Sequence, residues 1–198
     1  MKQEITIRAA ERRDAHIIAE AVAMAIGSEE ALRTYCGNDY LAVLTEVARA
    51  EQTQYSYRYA FIAQAGDQLI GAIVGYDGAM LGALRAETFD IIERMTGCRP
   101  SIPDETEAGE YYLDSLGVRP AYRGKGVGRA LIAAFCNNAF MCGYKRVGLI
   151  VDTENPTAER LYSSLGFECV GERTFFGHQM RHLQLCSTTA PCPDNTSL

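Results

Sequence analysis

Three glycines recur at alternate positions in one turn of the chain, at Gly124, Gly126 and Gly128. Because glycine lacks a Cβ atom, such a turn lets the backbone approach a ligand closely and point successive N–H groups at one place. The apolar periodicity that begins at Val127 predicts a helix, whose first N–H groups and positive dipole end also favour an anion. Four cationic side chains flank the turn: Arg119, Arg123, Lys125 and Arg129. The pattern therefore predicts a binding site for an anion, most simply a pyrophosphate.

Two acids lie on the strand-like run that precedes this turn. By strand alternation, Glu110, Tyr112 and Asp114 share one face of residues 110–118. An aspartate inside a central strand is destabilising unless it is paired or wet, so Asp114 predicts a cleft rather than a dry core. A carboxylate in a cleft can take up a proton, directly or through water. Both Asp114 and Glu110 are candidates for that role, and the alternative is that one of them only orders a neighbouring tyrosine or arginine.

Tyr162 offers the complementary group, a phenol that is protonated at neutral pH and can donate a proton. It lies on a predicted helix that has Asn155 as its N-cap, a proline at its first position and Gly166 at its end. Packing is the alternative explanation for Tyr162, because Ala158, Tyr162 and Leu165 share one face of that helix.

The elements that must position these residues alternate between strands and helices. The predicted strands cover residues 5–7, 57–64, 69–76, 111–118, 147–151, 167–174 and 178–185. The predicted helices follow Asp14, fill much of 28–54 as one helix or a broken pair, and then cover 80–95, 127–142 and the segment from Asn155 to Gly166. The turn residues between 64 and 69 predict an antiparallel hairpin, and the segment 97–109 is a loop with the character of an insertion. This order predicts a mixed α/β (α+β) fold.

Composition limits the class of protein. A chain of 198 residues, 47% of them hydrophobic, is long enough for one sizeable core, so we expect a single domain over residues 1–186 and a disordered tail over 187–198. The net charge of -6 disfavours nucleic-acid binding. The seven cysteines form no CxxC pair and the three histidines are scattered, so we expect reduced thiols and no metal. No apolar leader or membrane span is recognisable, which predicts a soluble, cytoplasmic protein.

Two other anion-binding motifs fit less well. A dinucleotide-binding fingerprint needs G-x-G-x-x-G directly after a strand, whereas residues 119–123 intervene here and the glycines run G-x-G-x-G. A P-loop needs Gly-Lys-Ser/Thr, which does not follow. An oxidoreductase that uses NAD is therefore disfavoured.

The run Arg123-Gly124-Lys125-Gly126-Val127-Gly128 meets the signature Q/R-x-x-G-x-G/A, and the chain here resembles the GNAT superfamily of acetyltransferases. The preceding residues 112–118 are similar to the central strand of that family, and residues 155–167 are similar to its later helix and strand entry. The resemblance covers the second half of the chain, while 27–60 and 77–109 match nothing specific. It implies a mixed, mostly antiparallel sheet flanked by helices, with two parallel central strands splayed at a bulge.

The resemblance also implies roles for particular residues. The backbone of Arg123 to Gly128, with Arg129 behind it, would hold the pyrophosphate of acetyl-CoA. Leu116 and Val118 would offer main-chain groups to the pantetheine arm beside a bulge at Gly117, and the Leu116 N–H would stabilise an oxyanion. Tyr162 would be the acid and Asp114 or Glu110 the base, since Tyr112 stands where some members carry glutamate. Asn155 would help orient CoA, although a helix cap alone accounts for it.

The implied activity is transfer of acetyl from acetyl-CoA directly to a primary amine, with a small-molecule acceptor preferred over a protein terminus or lysine. Tyrosines and acids from the first half of the chain could line a pocket for a cationic amine: Tyr55, Tyr57, Tyr59, Glu29, Glu30, Asp39 and Glu46. The alternative from another class is a CoA-binding sensor without turnover. A homodimer is left open, and neither nucleic acid nor a membrane is an expected partner.

Overall fold

The computed structural model describes residues 4–175 and 177–187, which contain one sheet and its covering helices. The strands are β1 Ile5–Ala9, β2 Ala60–Ala65, β3 Gln68–Asp77, β4 Tyr111–Val118, β5 Arg146–Asp152, β6 Glu168–Phe175 and β7 His178–Cys186. The helices are α1 Ala15–Ile26, α2 Glu29–Cys36, α3 Tyr40–Arg49, α4 Leu81–Thr96, α5 Val127–Met141 and α6 Pro156–Ser163. Short 3-10 turns cover Arg12–Asp14, Tyr57–Tyr59, Gly78–Met80 and Pro120–Tyr122.

The sheet has the strand order β1-β2-β3-β4-β5-β7-β6. Neighbouring strands are antiparallel except β4 and β5, which are parallel. The predicted mixed, mostly antiparallel sheet with one central parallel pair is therefore confirmed. The predicted hairpin is β2–β3, where Gly66 has a φ of 59° that glycine adopts without strain.

Helices cover both faces of this sheet. Ile62 on β2 packs with the cluster that contains α1 and α3, while the next residue, Ala63, packs with the cluster that contains α5. Along α1, Ile17 and Ile18 are fully buried, and each side chain of this size stabilises the fold by about 1.5–3 kcal/mol on burial. The apolar faces of the helices in the first half of the chain thus form a layer on one face of the sheet, where α1 packs against β3 and β4.

The central parallel pair is short. Its register contains only Tyr111 opposite Val147 and Tyr112 opposite Gly148. Beyond these pairs β4 continues along β3 and β5 continues along β7, so a gap opens between β4 and β5. The expected splay of the two parallel strands is present.

The bulge lies at Asp114 and not at Gly117, where the sequence predicted it. Ser115 pairs with Val74 and Leu113 with Gly75, which leaves Asp114 without a partner residue on β3. The bulge exchanges the two faces of the strand, because Leu113 and Leu116 both pack on the α5 side of the sheet.

Gly117 has a different function in the fold. It pairs regularly with Ala72, and a Cβ atom at this position would lie 2.4 Å from the Ala21 Cα of α1. Gly117 is therefore required for the close packing of α1 on β4.

Two further expectations need correction. Ser187, assigned to the tail, is buried and donates its N–H to the Lys145 carbonyl at 2.9 Å, while residues 188–198 lie outside the described part of the chain. Among the cysteines, Cys36 and Cys136 are buried free thiols, but Cys186 is disulfide-bonded, so the expectation of reduced thiols fails there. No helix in the described residues is long and apolar enough to cross a membrane.

Candidate active site

The glycine turn has the conformation that its sequence predicts. Gly124 and Gly126 have φ values of 72° and 83°, and Gly126 is the N-cap of α5. The first N–H to make the hydrogen bond of an α-helix is that of Ala130, which donates to the Gly126 carbonyl at 3.0 Å. Within residues 4–175 and 177–187, the N–H groups from 124 to 129 make no hydrogen bond of normal length and angle. Such unpaired donors at a helix start are suited to bind a phosphate.

The four cationic side chains around the turn differ in the partners that they contact. Arg119 makes two hydrogen bonds of 2.8 Å to Glu20 on α1, so its charge is balanced and it supports the fold. Arg123 donates to the Val118 carbonyl at 3.0 Å, and the Lys125 ammonium lies 5.1 Å from the centre of the Tyr122 ring. Arg129 donates to the Ser164 hydroxyl at 2.7 Å, close to the end of α6. Lys125 and the two arginines at 123 and 129 therefore supply the positive charge beside the open N–H groups.

The edge of β4 that faces β5 pairs with no strand beyond the short parallel ladder, although the Val118 carbonyl accepts from Arg123. The Arg119 N–H bonds to the Ile70 carbonyl at 2.9 Å. In an antiparallel pair, alternate residues bond to the partner strand, so Leu116 and Val118 direct their main-chain groups away from β3. These groups point into the gap between β4 and β5.

A cleft of about 580 Å³ occupies this gap and the space below α1 and α2. Four of the residues predicted for catalysis or donor binding line it, namely Asp114, Leu116, Asn155 and Tyr162. Asn155 also accepts a hydrogen bond from the Ala158 N–H at 3.1 Å and so caps α6 as predicted. The residues of the glycine turn do not line the cleft. A Cβ atom built on Gly128 would lie 3.9 Å from the side chain of Leu116, which does line it, so the turn lies next to the cleft wall.

Asp114 is half-buried at the bulge. Its Oδ1 accepts from the Ser115 hydroxyl at 2.8 Å, and its Oδ2 lies 3.1 Å from the Tyr76 hydroxyl. Burial, followed by the negative charge of Glu105, raises the pKa of Asp114 from 3.8 to about 7. A carboxylate with this pKa can accept a proton from a substrate at neutral pH.

Glu110 is held elsewhere and does not line the cleft. It is only 2% exposed and accepts hydrogen bonds from Thr106 at 2.7 Å, His182 at 2.8 Å and Gln184 at 2.8 Å. Arg173 donates to His182 Nδ1, so the other ring nitrogen carries the proton that points at Glu110. Burial raises the pKa of Glu110, but the hydrogen bonds of His182 and Thr106 outweigh it and hold that pKa below its usual value.

The carboxylate of Glu110 also fills the space over Gly148 on β5, where a Cβ atom would lie 1.8 Å from its Oε2. Glu110, the residue before β4, therefore links the start of β4 to β5 and β7. The structure separates the two candidate bases: Asp114 faces the cleft and Glu110 is enclosed.

Tyr162 is 8% exposed and packs edge-on against Phe167, with 5.6 Å between the ring centres. No described residue hydrogen-bonds to its hydroxyl. Burial raises the pKa of Tyr162, so the phenol keeps its proton at neutral pH. Tyr162 thus packs against the core and also lines the cleft, so a packing role and a role as proton donor are compatible.

Besides Tyr55, the cleft is lined by residues that the sequence did not single out. Tyr55 lines it as expected, together with Tyr35, whose hydroxyl lies 3.2 Å from that of Tyr55. Tyr57 and Tyr59 are not among the lining residues. The acids at 29, 30, 39 and 46 do not line it either, and Glu29 and Glu30 border a separate surface depression. The carboxylates that do line the cleft are Asp114, Glu105 and Asp152.

Glu105 belongs to the segment 97–109, which has no periodicity and no motif. Its carboxylate pairs with Arg85 of α4 and accepts from Tyr76 at 3.0 Å and Gln54 at 3.1 Å. Only the acid-rich composition of this loop hinted at such a residue. Asp152 lies with Glu154 and His178 at the rim, with ligand atoms within 4.8 Å of one another. A hydrogen bond of 2.9 Å from His178 to Asp152 accounts for this arrangement without an ion.

The curated proteins that share local sequence similarity with the chain include three acetyltransferases named for different acceptors. Mycothiol acetyltransferase of Kocuria rhizophila is 44% identical over 73 residues, which cover 37% of this chain and 23% of that protein. Spermine/spermidine N(1)-acetyltransferase of Bacillus subtilis is 31% identical over 87 residues, 43% of this chain and 57% of that protein. N-alpha-acetyltransferase RimI of Mycobacterium tuberculosis is 39% identical over 67 residues, 32% of this chain and 39% of that protein. The matched segments thus span about a quarter to just over half of these relatives.

Solved structures resemble nearly the whole chain. A crystal structure of an acetyltransferase superposes with a TM-score of 0.78 at 27% identity, covering 91% of this chain and 98% of the other. A protein of Salmonella typhimurium that was solved with its cofactor acetyl-CoA superposes with a TM-score of 0.61 at 20% identity, covering 97% and 99%.

The sequence profile of the acetyltransferase (GNAT) family matches residues 29–167. Members of this family use acetyl-CoA as the acetyl donor, and the open glycine turn and strand gap of this structure fit that co-substrate. The chain therefore belongs to the GNAT family of acetyltransferases.

Proposed function

We propose that this protein transfers acetyl from acetyl-CoA directly to a primary amine, with Asp114 as the base and Tyr162 as the acid. The observation that carries the proposal is that one cleft contains a carboxylate whose pKa is about 7, a protonated phenol and the open edge of β4. Amide formation from an ammonium substrate needs a proton acceptor and benefits from a proton donor for the departing thiolate.

The donor half of the site would bind CoA through the chain's main-chain groups. The N–H groups from 124 to 129 would receive the pyrophosphate, with Lys125 and Arg129 nearby. Leu116 and Val118 would bond to the amides of the pantetheine arm as an added strand does. The Leu116 N–H would then lie beside the thioester carbonyl and stabilise the oxyanion that forms there.

In the acceptor half, Asp114 removes one proton from the substrate ammonium. The amine nitrogen bonds to the thioester carbonyl carbon, and the carbon–sulfur bond breaks as the carbonyl reforms. Tyr162 gives its proton to the thiolate and regains one from the new amide nitrogen. The products are the N-acetyl compound, CoA as the thiol and one proton, which Asp114 releases to water.

A small cationic amine fits the acceptor half best. The carboxylates of Asp152 and of ionised Asp114 would attract a cation, while the charge of Glu105 is balanced by Arg85. The aromatic side chains of Tyr35 and Tyr55 also line this cavity. The relatives named for spermine and mycothiol acetylation support a small molecule. The relative named as an N-alpha-acetyltransferase makes a protein terminus the competing acceptor class.

Two measurements on the purified protein test this function. Calorimetry with CoA measures donor binding, and a thiol-release assay with acetyl-CoA and a panel of polyamines, amino sugars and N-terminal peptides measures turnover. We expect micromolar CoA binding and turnover of at least one amine. Binding of CoA without thiol release for any amine would instead support a sensor, and absence of CoA binding would contradict both readings.

A matched pair of variants tests the base. Asp114→Asn removes the carboxylate that lines the cleft, and Glu110→Gln removes the enclosed one. We expect kcat to fall by about 100-fold or more in the first variant and to change little in a folded Glu110→Gln protein. Equal losses in both variants would contradict the assignment of Asp114.

A further inference from the structure

Three oxygen atoms from distant parts of the chain lie in a row at the cleft, where the buried Tyr76 hydroxyl joins the two lining acids Asp114 and Glu105. Asp114 Oδ2 is 3.1 Å from the Tyr76 hydroxyl, and that hydroxyl is 3.0 Å from Glu105 Oε1. Tyr76 is fully buried and Glu105 is 5% exposed, so the contact between them is largely shielded from water, while Asp114 is half-buried. Each contact is of hydrogen-bond length and needs a proton between its two oxygens.

The row contains too few protons if both acids are ionised. Tyr76 has a single O–H, which can donate to only one carboxylate. The second contact would then hold two oxygens together without a proton, in surroundings where such repulsion is poorly screened. Both contacts are satisfied when one of the two carboxyl groups is protonated and donates to the Tyr76 oxygen.

The surroundings of the two carboxyls decide which one carries the proton. Glu105 is ion-paired with the buried guanidinium of Arg85 and also accepts from Gln54 Nε2 at 3.1 Å. Among the described residues, none forms an ion pair with Asp114, and its other oxygen accepts from the Ser115 hydroxyl. The negative charge is therefore stabilised at Glu105, and the proton belongs to Asp114.

We propose that Glu105 is a positioning residue for acetyl transfer, because through the Tyr76 hydroxyl it stabilises the protonated form of Asp114 and so makes Asp114 a stronger base. The proposal rests on the proposed function of Asp114. When Asp114 takes a proton from the substrate ammonium, the row Asp114–Tyr76–Glu105 becomes fully hydrogen-bonded. The loop 97–109, which matches no motif, thereby contributes to the reaction through Glu105.

Other groups that face Asp114 do not compete with this effect. They are Tyr35, Tyr55, Tyr76, Tyr112, Glu105 and Arg85. Burial raises the pKa of all four phenols, so they stay neutral at physiological pH. Arg85 favours the ionised form of Asp114, but it is ion-paired with Glu105. Among these groups, Glu105 is the negative charge that favours the protonated form of Asp114.

The test is a carbon-13 NMR titration of protein with labelled aspartate, in which the Asp114 signal is assigned by its loss in Asp114→Asn. In the wild type we expect the Asp114 carboxyl to titrate near pH 7. In Glu105→Gln the amide donates to Tyr76 and frees the phenolic proton for Asp114, so the midpoint should fall by about one pH unit or more. The acid limb of the kcat/KM profile should move by the same amount.

Asp104→Asn is the matched control. Asp104 also pairs with Arg85, at 2.6 Å, but its side chain is 78% exposed and does not contact Tyr76. This variant should leave the Asp114 midpoint unchanged, whereas a shift equal to that of Glu105→Gln would overturn the proposal in favour of a general charge effect. A wild-type midpoint below about pH 5 would overturn it without any variant. If the titrations behave as expected but no amine is acetylated, the proposed function fails and the link between Glu105 and Asp114 stands.

Discussion

Replacing Asp114 with asparagine should remove activity and, at alkaline pH, make the protein more stable. The side-chain amide has the shape of a protonated carboxyl, and it can donate to Tyr76 while its oxygen accepts from Ser115 as before. Wild-type protein above neutral pH must instead keep a charged carboxylate in a partly desolvated site. Function and stability therefore place opposite demands on this position.

The magnitude follows from the pKa of Asp114. Its value in the folded protein is about 7, against 3.8 without burial. At about 1.4 kcal/mol per pH unit, this difference corresponds to at most about 4 kcal/mol, and we expect about 2 kcal/mol because the residue is partly exposed and water screens its charge. The folded state binds the proton more tightly than the unfolded state. The free energy of unfolding of the wild type is thus lowered as pH rises from about 4 to about 7, and the loss is complete above that window.

Urea unfolding of the wild type and of Asp114→Asn at pH 4.5 and pH 8 measures this effect. The stability difference between variant and wild type should be larger at pH 8 by about 2 kcal/mol. Asp67→Asn, in the exposed hairpin turn between β2 and β3, is the control and should give the same difference at both pH values. A pH-independent difference for Asp114→Asn, or a variant less stable than the wild type at pH 8, would refute the reasoning.

Three other substitutions have distinct expected outcomes. Tyr162→Phe should lower kcat by about 10-fold or more while calorimetry shows unchanged CoA affinity, and unchanged kcat would contradict the acid role. Gly117→Ala places a methyl group 2.4 Å from the Ala21 Cα, and we expect the free energy of unfolding in urea to fall by about 2 kcal/mol or more. In the control Gly128→Ala, where the nearest atom to the new methyl group lies at 3.7 Å, the free energy of unfolding should fall by less than half as much. Asn155→Ala removes the cap of α6 and should lower stability by about 1 kcal/mol; a larger fall in CoA affinity than in stability would show that Asn155 also binds the donor.

The glycine turn could be predicted from the sequence because its chemistry is contiguous. The φ values of Gly124 and Gly126 and the helix that starts at Val127 depend on residues within a few positions of one another. The same holds for the Asn155 cap and for the β2–β3 hairpin, whose turn residues specify their own geometry. Features that depend on neighbouring residues in this way can be predicted without knowing the tertiary structure.

The position of the bulge could not be predicted, because it depends on contacts between distant segments. Gly117 looked like a bulge residue, but its lack of a side chain serves the approach of α1, 96 positions earlier at Ala21. The bulge at Asp114 follows from the pairing with β3, which strand alternation alone does not reveal.

The choice between the two acids also needed the structure. Asp114 inside a strand predicted a cleft, and the cleft is there. Glu110 looked equally suitable, but His182 and Gln184 of β7 enclose it, and β7 lies more than 70 positions away in the sequence. Glu105 had no recognisable pattern because its partners come from α4 and β3 and from the segment before β2. The catalytic roles themselves remain predictions.

The most direct test of the account is a crystal structure of the protein with CoA bound. We predict that the pyrophosphate oxygens lie about 3 Å from the N–H groups between Gly124 and Arg129, and that the sulfur lies within hydrogen-bond reach of the Tyr162 hydroxyl on the cleft side of Asp114. A CoA molecule outside the gap between β4 and β5, or a sulfur atom far from both Tyr162 and Asp114, would contradict the proposed mechanism.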